Sequence, residues 1–191
     1  MKFAIAAMLC AMLSGCSLVG DAVDITSRRS KELKAGMVVS GKGFSIVAPE
    51  PGLFPKTNFP TSGGITLRPI EPMLDGKVFF VAPFDNQSLD PSTALDRWNQ
   101  IPERQRGVTV SASNRRNTVF QGLPAHEAVV DVPRTSSSGS VALVLVIKRG
   151  ADFLILHSGE NYYTQRMKGR RLEACRRAMA KLKTATTITR R

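Results

Sequence analysis

Seven consecutive apolar residues, Val141-Ala142-Leu143-Val144-Leu145-Val146-Ile147, are followed five residues later by Phe153-Leu154-Ile155-Leu156-His157. A strand that is apolar at every position is covered on both faces. The two segments, joined through Lys148-Arg149-Gly150-Ala151-Asp152, predict a hairpin at the centre of a sheet. Residues 125–132 alternate instead, with His126, Ala128, Val130 and Val132 on one face and Glu127 and Asp131 on the other, which is the period of a strand. Phe44, Ile46 and Ala48 alternate before a Pro49/Pro51-Gly52 turn and predict the first strand. Residues 65–68 and 77–82 are the next strand candidates, separated by Pro69, Pro72 and Asp75-Gly76. Val108-Thr109-Val110 and Thr118-Val119-Phe120 flank the polar Asn114-Arg115-Arg116-Asn117 and predict a second hairpin. Residues 53–64, rich in Pro, Asn, Thr, Ser and Gly, read as a loop.

Two segments carry the helical period. Asp90 precedes Pro91 as an N-cap, and a proline at the first helical position loses no hydrogen bond. Leu95, Trp98 and Ile101 then share a face, and Pro102 closes this short helix. Near the end of the chain, Leu172, Cys175, Met179 and Leu182 form an apolar stripe, which can cover one face of the sheet. Residues 43–184 are accordingly expected to be a single α+β domain. The polar stretch within 16–42 reads mostly as a tether, and 185–191 as a basic tail.

The first residues follow a different logic. Lys2, an apolar run from Phe3 to Leu13 and the small residues Ser14-Gly15 have the layout of an export signal. The run is shorter than the roughly 20 residues needed to span a bilayer. Leu13-Ser14-Gly15-Cys16 resembles the lipobox of bacterial lipoprotein precursors. That resemblance implies a signal peptide over 1–15 and a lipidated Cys16, palmitate included, as the first mature residue. Ser17, where inner-membrane lipoproteins carry Asp, implies an outer-membrane anchor with the domain facing the periplasm. The alternative is an ordinary secretory signal that happens to contain cysteine. Cys10 would leave with the signal, so Cys175 would remain as the single thiol and no disulfide could form.

The net charge of +12 is unevenly placed: residues 166–191 hold ten basic side chains against Glu173 alone. Arg170, Arg171, Arg176, Arg177, Lys181 and Lys183 are therefore the candidate contacts for an anionic partner. For an exported protein that partner is an envelope protein or anionic lipid, and nucleic acid is not expected. A solubilising face with no dedicated partner is the competing reading. No glycine-rich phosphate loop or nucleophile motif is present, and neither a cofactor nor a metal is expected. Only His126 and His157 offer imidazoles, with Glu127 and Glu160 nearby, so a hydrolase or metal enzyme is a minor alternative to ordinary sheet histidines. Trp98, Tyr162 and Tyr163 could stack on a ligand or simply pack. Cys175, on the apolar stripe, reads as an inert core thiol.

The order of elements, the Phe-x-Ile-x-x-Pro ending of residues 44–49 and Phe120-Gln121-Gly122-Leu123-Pro124-Ala125 resemble the Mog1/PsbP-like family. The resemblance implies an antiparallel sheet between helices, an α/β/α sandwich, and a binding or assembly module rather than an enzyme. The heavily basic terminal helix departs from it. The expected function is a membrane-anchored, non-enzymatic module of the cell envelope. A carrier of a small apolar ligand, with its pocket between the sheet and residues 49–60, is the second reading.

Overall fold

The computed structural model describes residues 30–34, 36–56, 63–69, 78–84 and 90–189. Among the described residues, ten strands, β1 (Val38–Gly41), β2 (Phe44–Val47), β3 (Leu53–Lys56), β4 (Ile65–Pro69), β5 (Val78–Phe84), β6 (Ser111–Phe120), β7 (Leu123–Pro133), β8 (Gly139–Arg149), β9 (Asp152–Tyr162) and β10 (Thr186–Ile188), accompany two helices, α1 (Pro91–Arg106) and α2 (Gln165–Ala185). Seven strands form an antiparallel sheet in the order β3-β4-β5-β9-β8-β7-β6, and the other three form a small sheet, β1-β2-β10.

The predicted hairpin is β8 and β9, paired in continuous register from Gly139↔Tyr162 to Arg149↔Asp152. Its unbroken hydrophobicity serves two cores. Val141, Leu143, Leu145 and Ile147 join Leu154 and Leu156 against Cys175, Met179 and Leu182 of α2 and against Phe44, Ile46 and Ile188 of the small sheet. Ala142, Val144 and Val146 face the other way, with Phe153 and Ile155, towards Ala94 and Leu95 of α1. The layers are α1, the large sheet, and then α2 side by side with the small sheet.

Several expectations need correction. Leu33 is buried and bridges Leu53, and β1 pairs with β2, so the fold begins within residues 16–42 rather than at Gly43. Residues 186–188, placed in a tail, form β10 on β2. Residues 53–56, expected in a loop, are β3; Pro55 is tolerated because β3 is an edge strand, where a missing N–H breaks no ladder on its open side. Residues 111–120 form one strand rather than a turn, with a register shift between Ser113 and Arg116. Asn114 adopts φ 50° there, so the polar segment makes a bulge in an edge strand. Helix α1 passes through Pro102 and ends where Gly107, at φ 63°, donates its N–H to the Glu103 carbonyl. Its start is as expected: the Asp90 carboxylate accepts from the Ser92 and Thr93 amides at 2.9 and 3.0 Å.

Candidate functional site

Helix α2 lies on the large sheet along Cys175, Ala178, Met179 and Leu182, all buried. Burying such side chains contributes roughly 1.5–3 kcal/mol for each large one, whereas an exposed ion pair contributes about 0.2–1 kcal/mol. Apolar contact therefore holds the helix, and its charges select its position. Three carboxylates on the sheet receive its cations. Lys168 Nζ donates to Asp131 Oδ2 at 2.5 Å, Arg171 Nη1 to Glu160 Oε2 at 3.3 Å, and Lys183 to Glu127. Glu127 also accepts from Arg116 of β6. Burial pushes the Glu127 carboxyl up, but the bonds from Lys183 and Arg116 outweigh this and hold it below its ordinary value. Asp131 accepts in addition from the Tyr162 hydroxyl at 3.0 Å. Burial and this neighbouring carboxylate push the phenol up to about 12.

Of the six cations named from sequence, Arg171 and Lys183 thus reach the sheet. Arg176 pairs with Glu173 on the same helix, and Lys181 reaches Glu50 at 3.4 Å. Arg170 and Arg177 are exposed, as is Arg166, and no ion pair joins any of these three to the described residues. At about 100° per residue, Arg166, Arg170 and Arg177 fall within about 40° of one another, on the side of α2 turned away from its buried stripe, over about 17 Å. Cys16 and residues 17–29 lie outside the described residues.

A groove of about 530 Å³ opens between α2 and β6–β8. Its floor is Val129, Leu143 and Met179, and its rim carries Arg116, Arg176 and Lys183 around Glu127. This groove lies near the opposite edge of the sheet from residues 49–60, where a pocket was expected from sequence; residues 57–60 lie outside the described residues. Sequence reading missed Asn114 and Arg116 in this role. The signal was the placement of Glu127 and Asp131 on one face of a strand opposite a basic helix.

The two histidines point to the α1 side but do not converge. His126 lies opposite Val146 and His157 opposite Val144, on strands separated by β8. Strand spacing and rise put their Cα atoms about 12 Å apart. His126 Nδ1 donates to Asn117 Oδ1 at 2.8 Å, and desolvation, aided by Arg115, lowers its pKa. His157 stacks on Phe80 with centroids 4.6 Å apart, and burial holds its pKa at about 4. Among the described residues no three potential metal ligands cluster. Trp98 packs on Phe80 and Phe84, and Tyr162 is buried. The Cys175 thiol donates to the Val141 carbonyl at 3.4 Å, and burial pushes it up to about 12.

In sequence the chain matches no protein family and no curated protein. In structure it is similar to a mutant of the protein Mog1, with TM-score 0.59 and 12% identity over 81% of this chain and 96% of that one. The Ran-binding protein Mog1p of Saccharomyces cerevisiae gives TM-score 0.54 and 12% identity over 78% and 91%. Cyanobacterial PsbP from Synechocystis gives 0.54 and 9% over 81% and 94%. At these identities the likeness is one of fold, and the chain is a single α+β domain with the Mog1/PsbP-like fold.

Proposed function

We propose that this chain is a lipoprotein, anchored through Cys16 in the outer membrane and facing the periplasm, whose domain serves as a non-enzymatic binding or assembly module of the envelope. The observation that carries the binding role is the outward stripe Arg166, Arg170 and Arg177. Most other cations of α2 are matched to carboxylates, while these three are turned to solvent on the side away from the core. A matched cation fixes the helix, whereas an unmatched one is available to an anionic partner. That one structural neighbour is a Ran-binding protein by name fits the use of this fold as a binding scaffold.

The test of the anchor is labelling with radioactive palmitate in the native host. The wild-type chain takes up label and sediments with the outer membrane, and Cys16→Ser does neither. A wild-type chain that is exported unlabelled and soluble overturns the anchor. The binding role predicts salt-sensitive association with envelope extracts that Arg166→Gln/Arg170→Gln/Arg177→Gln abolishes; equal retention of wild type and variant overturns it.

The groove between α2 and β6–β8, floored by Val129, Leu143 and Met179, favours a second reading, a carrier of a small apolar ligand. Native mass spectrometry of protein from its own host would show a co-purifying mass, and Met179→Arg, which fills the floor with charge, would remove it. A clean apo spectrum excludes the carrier reading.

A further inference from the structure

The small sheet exposes an apolar patch in the same layer as the basic stripe. Val38 and Val47 are directly paired across β1 and β2. They are 60% and 41% exposed, and the adjoining Met37 is 45% exposed. The alternate residues of β2, Phe44 and Ile46, are 2% and 0% exposed, so Val47 points away from the core. Exposed Lys34 lies beside the patch, its amide donating to Met37 Sδ at 3.2 Å. The patch and the stripe are joined through the chain itself. Thr186, the first residue after α2, pairs with Ile46, and Lys181 reaches Glu50, just beyond β2. Val47, Lys181, Arg177, Arg170 and Arg166 therefore follow one another across a single outer face.

We propose that this face, with Met37, Val38 and Val47 as its apolar part and Arg166, Arg170 and Arg177 as its basic part, docks the domain flat on an anionic lipid bilayer. The inference rests on the anchored reading above. Shallow apolar side chains bordered by cations are the chemistry of the bilayer interface, where the apolar groups enter the headgroup boundary and the cations meet lipid phosphates. Chain continuity selects a membrane over a protein partner. The patch lies at the start of β1, with Met37 only 21 residues beyond Cys16 along the chain. The anchor thus holds this face, rather than the α1 side, within reach of the lipid.

The test uses the full, lipidated chain on phosphatidylcholine vesicles with and without phosphatidylglycerol. An environment-sensitive dye is placed at Val47→Cys or, on the opposite layer, at Gln100→Cys. The dye at 47 is expected to shift to an apolar environment on the anionic vesicles only, and the dye at 100 to stay in water. Arg166→Gln/Arg170→Gln/Arg177→Gln should lower the docked-to-undocked ratio about a hundredfold, from the attraction each basic residue has for an anionic surface. High salt should weaken docking in the same direction. Vesicle sedimentation separates the two readings. A chain that sediments with vesicles while both dyes report water overturns the docking face and leaves the anchor standing, whereas a chain that does not sediment overturns the anchor as well. A shift at 47 that needs an added envelope protein, or that is equal on uncharged vesicles, also overturns this face. Circular dichroism of each variant establishes that it is folded before its dye signal is compared.

Discussion

Replacing His157 with Phe removes much of the acid sensitivity that a neutral, part-buried imidazole imposes on folding. The ring is stacked on Phe80 with planes 24° apart, its Nδ1 is buried with no hydrogen-bond partner among the described residues, and its pKa falls from 6.5 to about 4. The unfolded chain takes up a proton as the pH drops below its ordinary histidine value, and the folded protein resists until near its own depressed value. Stability is therefore complete above the unfolded pKa and is lost as the pH falls through the window between the two. Each pH unit in that window costs about 1.36 kcal/mol, so the loss between roughly pH 7.5 and pH 5 is about 2 kcal/mol. Working above this lower limit keeps ordinary carboxylates largely out of the titration. His126 is shifted in the same direction but is present in both proteins and cancels in the comparison. Urea unfolding followed by the fluorescence of Trp98, the single tryptophan, gives the free energy at each pH. The wild type should lose about 2 kcal/mol more than His157→Phe over the range. Parallel curves would refute the neutral, desolvated imidazole.

Three further outcomes follow from the same structure. Glu127→Gln leaves Lys183 and Arg116 without their shared charge and should cost about 2 kcal/mol, the scale of a hydrogen bond to a charged group; an unchanged urea midpoint would mean that solvent already screens the pair. Gly107→Ala should cost about 1 kcal/mol for its positive φ, since nothing among the described residues lies within 4 Å of an added Cβ. Gly43→Ala should cost more by the same measurement, because at φ +81° its Cβ would fall 1.2 Å from Arg149 Nη1. In the lipidated protein, Cys175 should resist maleimide at neutral pH while folded and react in urea, because burial holds its thiol at about 12; rapid labelling of the folded protein would contradict that burial.

Legibility followed the range of the interactions. The β8–β9 hairpin, the α1 cap and the buried stripe of α2 depend on neighbours a few residues apart, so periodicity and capping residues revealed them. Edge strands were harder, because one side of their backbone faces no partner and so tolerates Pro55 in β3 and a polar, bulged sequence in β6. Strands β1 and β10 are short, and their hydrophobicity makes sense only once β2 lies between them. The same holds for the site. Its basic residues were visible as a cluster, but their division into sheet-bound and solvent-facing members depends on which strand face lies under α2. The groove depends on Arg116, whose role appears only when β6 is one strand.

The small sheet sets a timetable for the chain. Its middle strand is made before the whole of the large sheet and its last strand after it, with Ile46 waiting for Thr186. During synthesis from the N-terminus, Phe44 and Ile46 have no strand on that side until β10 arrives. Closing so long a loop adds little entropic cost, because that cost grows only with the logarithm of loop length; what it imposes is delay. A domain that cannot complete its core until the strand after α2 has been made remains open enough to be threaded, which suits the export proposed for it.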